Sequence, residues 1–99
     1  MPHIGWSRRA LADVARLEAF LHEKDPDAAQ RARDSIREGI AALRNFPRKG
    51  RRAEGLAGPF HEWPIRFGSS GYVALYRIDG ENVTVIAVRH MREDRYKGD

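Results

Sequence analysis

Ninety-nine residues, 41% apolar and 32% charged, suit one globular domain over residues 1–99 and are too apolar for a disordered chain. The chain has no cysteine, which excludes a disulfide framework and any thiolate zinc site and fits a reducing, cytoplasmic setting. Eighteen basic residues against 14 acidic ones leave a formal charge of +4, an excess that says less than its distribution. Arg44, Arg48, Lys49, Arg51 and Arg52 gather mid-chain, and Arg89, Arg92, Arg95 and Lys97 gather at the end. Such clusters suit an acidic partner, either a nucleic acid or a protein segment rich in Asp and Glu. No apolar run approaches the roughly 20 residues that a membrane span needs, and the first residues lack the apolar core of a signal peptide.

Residues 3–6, His-Ile-Gly-Trp, read as a short first strand, and Ser7 stands where a helix N-cap belongs. Leu11, Val14, Leu17 and Leu21 then recur at three- and four-residue steps, predicting an amphipathic helix to about Glu23. Asp25-Pro26 opens a second helix, with Asp as cap and Pro at the first helical position, where its missing N–H costs nothing. Its apolar stripe is Ala29, Ala32, Ile36, Ile40 and Leu43, and it ends at Asn45-Phe46-Pro47. Gly39 would let another helix approach closely. The short break between the helices predicts an antiparallel hairpin with both stripes on one core.

After Pro47 the period changes. Residues 48–59 hold three glycines and Pro59 and read as loop, with room for a short strand near Arg51. His61, Trp63, Ile65 and Phe67 alternate with Glu62, Pro64 and Arg66, a half-buried strand that Pro64 assigns to an edge or a bulge. Gly68-Ser-Ser-Gly71 is a turn, Tyr72–Ile78 a second strand, and Asp79-Gly80 a hairpin signal. Val83–Val88 is apolar on both faces and reads as a central strand. The fold class is α+β, in the order β-α-α-β-β-β, with an N-terminal strand and a helical hairpin packed on a mainly antiparallel sheet.

Counting back from Asp79-Gly80 with a period of two, Val73, Leu75 and Arg77 share a face with Thr84, Ile86, Val88 and His90. Tyr72, Ala74, Tyr76, Val83, Val85, Ala87 and Arg89 take the other. Periodicity does not tell which face the helices cover. If the first is left open, Val73, Leu75, Ile86 and Val88 form an exposed patch that calls for a partner.

Motif chemistry is sparse. His3, His22, His61 and His90 lack metal-ligand spacing, so no metal or other cofactor is expected. No phosphate loop, dinucleotide fingerprint or nucleophile elbow occurs. Arg66, Arg77, Arg89, His90, Arg92, Arg95 and Tyr96 remain as candidates. Metal-free RNA cleavage needs a group to take the 2′-hydroxyl proton and cations to stabilise the transition state, and Tyr, His and Arg can supply both.

The segments WSRRALADVARLEAFLHEKDPDAAQRARDSI and FHEWPIRFGSSGYVALYRIDGENVTVIAVRHMREDRY, with this order of elements, resemble the RelE/ParE superfamily of type II toxins over nearly the whole chain. The resemblance implies neutralisation by a cognate antitoxin and one of two activities. RelE-type members cut messenger RNA in the ribosome; ParE-type members poison DNA gyrase by binding it. RelE-like chains typically carry an arginine in a Tyr-Arg-Leu-Xaa-Tyr strand motif, whereas the matching run here is Tyr72-Val73-Ala74-Leu75-Tyr76. Arg77 lies one residue past the motif. Arg92 and Tyr96 match the family's terminal arginine and tyrosine approximately, and Lys49 is the one lysine placed to assist before the sheet.

The resemblance therefore implies a ParE-like gyrase inhibitor, a binding protein more than an enzyme, paired with a ParD-like antitoxin. Arg66, Val73, Leu75, Arg77, Ile86, Val88, Arg89, His90, Arg92, Arg95 and Tyr96 would face antitoxin or target. The alternatives are a ribosome-dependent mRNA interferase using Arg92, Tyr96 and His90, with the ribosome as target, and a degenerate, non-toxic antitoxin-binding module.

Overall fold

The structure is a computed structural model and describes residues 3–96; Lys97 of the terminal basic cluster lies outside the described residues. Strand β1 (Ile4–Trp6) leads into helix α1 (Arg8–His22), then α2 (Pro26–Ala41), which closes in a single 3-10 turn over Ala42–Arg44. Strands β2 (Arg51–Arg52), β3 (Phe60–Phe67), β4 (Ser70–Asp79) and β5 (Asn82–His90) follow. Both helices start where the caps direct. The Ser7 hydroxyl accepts the Ala10 N–H at 3.0 Å, and the Asp25 carboxylate accepts the amides of Asp27 and Ala28 at 3.1 Å.

The sheet runs β1-β5-β4-β3-β2. The β2–β3, β3–β4 and β4–β5 pairs are antiparallel, but β1 lies parallel to β5, bringing Ile4, Gly5 and Trp6 beside Val83, Thr84 and Val85. The hairpin turn places Gly80 at φ +61°, a conformation glycine adopts without steric cost. β5 is interior, as its two apolar faces predict, although the middle strand is β4. Pro64 sits past the end of β2, where β3 has only β4 beside it, so its missing N–H breaks no second ladder.

The helical hairpin covers the face carrying Tyr72, Ala74, Val85 and Val88, packing Ala10, Leu17, Ala32, Ile36 and Ile40 against them. Leu43 extends this core over Tyr76, Ile78 and Val83. α2 meets β3 closely because Gly39 has no side chain: a Cβ there would lie 2.9 Å from Ile65. The close partner of Gly39 is thus a strand, not another helix. Its carbonyl also accepts the Trp63 indole N–H at 2.9 Å.

One irregularity reverses part of the expected facing. Leu75 pairs with Ala87 but Tyr76 pairs with Val85, so Ile86 is an extra residue in β5. Beyond that bulge the alternation shifts by one. Val88 and His90 join Tyr72 and Ala74 under the helices, while Ala87 and Arg89 join Val73 and Leu75 on the other face. Val88 is fully buried there and is removed from the open-face patch. The bulge is held from outside the strand: the Ser7 hydroxyl donates to the Ile86 carbonyl at 2.8 Å, and the Val88 N–H donates to Asp13 at 2.9 Å.

Candidate functional site

The face away from the helices is not a bare apolar patch. Val73 and Leu75 are 2% and 6% exposed. Leu75, Ala87 and Ala53 form a second small core, joined by Phe60, Ile86 and the ring of Tyr96. The loop before β3 and the segment after β5 thus close over this face, which explains why a sheet surface rich in Val, Leu and Ala needs no helix on it.

Around that small core lies a cleft of about 600 Å³, bordered by Arg51, Arg52, Arg89, Arg95, Tyr96 and Glu62. Glu62 is its centre. Its carboxylate accepts the Tyr96 hydroxyl at 2.5 Å and the Arg51 Nε–H at 3.2 Å, and lies 3.9 Å from Arg89 Nη2. Cross-strand register places Glu62 directly between Arg51 on β2 and Leu75 on β4. Arg89 donates to the Glu93 carbonyl at 2.7 Å and stacks its guanidinium over the Tyr96 ring at 5.2 Å. Burial, reinforced by the hydrogen bond to Glu62 and its negative charge, holds the Tyr96 phenol far above its ordinary pKa, with Arg89 opposing more weakly. A tyrosine so placed keeps its proton and is a poor base.

His90 lies on the other side of the sheet. Its ring meets Tyr72 edge-on at 5.3 Å, and its Nδ1 accepts the Arg92 N–H at 3.0 Å. Burial lowers its pKa, Arg92 adds to that, and Glu93 partly opposes it. Arg92 and His90 border a separate groove of about 670 Å³, against Phe20 and Leu21 of α1 and Phe67 of β3. Glu93 fastens that edge, accepting the His90 N–H at 2.8 Å and the Arg16 guanidinium at 3.2 and 3.4 Å. The three residues of the nuclease alternative are therefore divided: Tyr96 borders one cleft, His90 and Arg92 the other.

The remaining candidates are scattered. Arg66 is exposed on the open face of β3, Arg77 is tied to Asp79 at 2.9 Å near the hairpin turn, and Arg95 is exposed. Ile86, half-buried, faces the small core. Sequence reasoning missed Glu62, which reads as an ordinary outward polar residue in an alternating strand. Among the described residues no three His, Asp or Glu side chains gather as metal ligands do, and no helix is long and apolar enough to cross a membrane.

Known proteins match this chain along nearly its whole length. A family description, "ParE toxin of type II toxin-antitoxin system, parDE", fits residues 4–95. Toxin RelE1 of Caulobacter vibrioides (strain ATCC 19089 / CIP 103742 / CB 15) is 38% identical over 90 residues, covering 90% of this chain and 92% of that protein. Toxin RelE3 of the same organism is 33% identical over 87 residues, covering 88% and 91%. In fold, the chain is similar to the chromosomal ParDE system of P. aeruginosa, with TM-score 0.76, 18% identity and coverage of 91% and 96%. The isolated E. coli RelE toxin gives TM-score 0.60, 20% identity and coverage of 96% and 89%. With the strand, helical hairpin and five-stranded sheet, these matches establish that the chain belongs to the ParE toxin family of type II toxin–antitoxin systems, within the RelE/ParE superfamily.

Proposed function

We propose that this chain is a ParE-like toxin domain that inhibits DNA gyrase by binding it in the cytoplasm, is neutralised by a ParD-like antitoxin, and cleaves no phosphodiester itself. The observation that carries the reading is the Tyr96–Glu62 hydrogen bond of 2.5 Å, which holds the one phenol near the basic cleft in its neutral form. Two further features support it. His90 and Arg92 lie across the sheet from Tyr96, and Val73, not a cation, occupies the middle of the open face. Catalytic groups that act as a unit lose several orders of magnitude when one is removed or misplaced. The antitoxin partner is supported by the similar structures, described as a ParDE system and as the intact E. coli RelBE toxin–antitoxin complex. A family match over residues 4–95 supports one toxin domain.

The test is a supercoiling assay with purified toxin and gyrase. Micromolar toxin is expected to block supercoiling or trap cleaved DNA, and a ParD-like antitoxin to relieve the effect. Unimpaired gyrase, with codon-phased breaks in transcripts from toxin-treated ribosomes, would overturn the proposal. That outcome would favour the mRNA interferase reading, to which the relatives named RelE1 and RelE3 lend support.

A further inference from the structure

The groove on the helix-covered side of the sheet is built unlike the basic cleft. Its volume of about 670 Å³ falls within the range of small-ligand sites, and it runs between the last turns of α1 and the β3–β4 turn. Leu17, Phe20, Leu21, Phe67 and Tyr72 give it apolar walls. Phe20 is 62% exposed, so one aromatic wall stands in water. The polar groups converge at the end of β5. Two arginines and one carboxylate border the groove, and Glu93 is taken up by Arg16, whose two Nη atoms lie 3.2 and 3.4 Å from its oxygens. Arg92 is then the uncompensated charge of the lining. It is exposed, and its guanidinium has no hydrogen-bond or ion-pair partner among the described residues. His90 beside it supplies a donor. Its Nδ1 accepts the Arg92 N–H, so the neutral ring carries its proton on Nε2. Burial, with Arg92 adding to it, favours that neutral ring. The Nε2–H has no protein partner among the described residues and is not sealed from solvent.

We propose that this groove binds a small carboxylate with an apolar body, of the class of a medium-chain fatty acid or a fused-ring aromatic acid. The carboxylate lies against Arg92, whose planar fork matches two oxygens, and takes one more hydrogen bond from His90 Nε2–H. The apolar body lies along Phe20, Leu21 and Phe67 and removes their surface from water. One uncompensated cation and one neutral donor suit a single negative charge; a phosphate monoester, with about two, would bring charge that the groove does not match. Arg92 is exposed on a long side chain, so it can close over the carboxylate without a backbone movement. The groove lies across the sheet from the basic cleft, and its occupancy does not depend on whether gyrase is the target.

The full chain is titrated calorimetrically at neutral pH with decanoate, 1-naphthoate and decylamine. One or both carboxylates are expected to bind and decylamine not to, and the two carboxylate arms distinguish a chain from a ring. Arg92→Gln and Phe20→Ser are each expected to weaken carboxylate binding about tenfold, the scale of one charge-assisted hydrogen bond or one lost aromatic wall. Both positions are exposed, so neither change threatens the core. Arg92→Glu should abolish carboxylate binding and admit decylamine. Leu11→Ser is the control, because Leu11 is exposed but borders a different groove, and it should leave binding unchanged. In NMR spectra of the wild-type chain, added decanoate should move the ring signals of His90 and Phe20 and leave those of His61, which stacks on Tyr76 outside the groove. Failure of both carboxylates to bind, equal binding of decanoate and decylamine, or binding that survives both Phe20→Ser and Arg92→Glu would overturn the proposal.

Discussion

Asp13 in α1 accepts the backbone N–H of Val88 at 2.9 Å, just past the bulge at Ile86, and does so while only 5% exposed. β1 has already turned into α1 by then, so this side chain supplies the partner that a neighbouring strand would have provided. Asp13→Ala leaves a buried N–H unsatisfied and is expected to cost about 1–3 kcal/mol. Asp13→Asn keeps an acceptor and should cost less. Urea unfolding of the two variants measures the difference.

Gly39→Ala sets two effects against each other. Alanine favours a helix interior by about 1 kcal/mol over glycine, but the new methyl would sit 2.9 Å from Ile65. Overpacking a core typically costs about 1–3 kcal/mol, so net destabilisation is expected. Ile65→Ala should recover part of the clash in the double variant, since it removes both γ carbons that the methyl meets at 2.9 Å, so the two costs should not add. A thermal-denaturation cycle over the four proteins tests this.

Alkaline pH should loosen the fold through Tyr96. Its folded pKa lies above the ordinary 10.0, so the folded chain keeps a proton that the unfolded chain releases. The associated stability is full below about pH 10 and is lost as pH rises toward the folded value. Tyr72 and Tyr76 are shifted the same way by burial. Tyr96→Phe is expected to flatten part of the decline in stability between neutral and strongly alkaline pH, and an unchanged slope would refute the assignment.

His90 acts in the opposite direction. Its folded pKa lies below the ordinary 6.5, so on acidification the unfolded chain takes up a proton first. Its contribution is present above the unfolded value and is lost as pH falls through 6.5 toward the folded one. NMR titration should find His90 mostly neutral at pH 6.5, where an ordinary imidazole is half charged. His90→Gln should reduce the acid sensitivity of unfolding.

Much of the fold is legible in the chain. Ser7 and Asp25 mark the helix starts because capping is local, and Asp79-Gly80 marks the hairpin because turn geometry is local. Strand and helix periods give the order of elements, and that order with its quoted segments carries the resemblance to the superfamily. The facing of Arg89 and His90 was not legible. A period of two holds only while register is unbroken, and the bulge that breaks it is fixed by Ser7 and Asp13, 79 and 75 residues away in sequence from the groups they bind. Glu62 was hidden for the same reason, since the Tyr96 hydroxyl that it accepts comes from 34 residues further along. Local chemistry settles which elements form and where they begin. Which charges meet across the sheet depends on distant segments returning to one place, and only the packed chain brings them there.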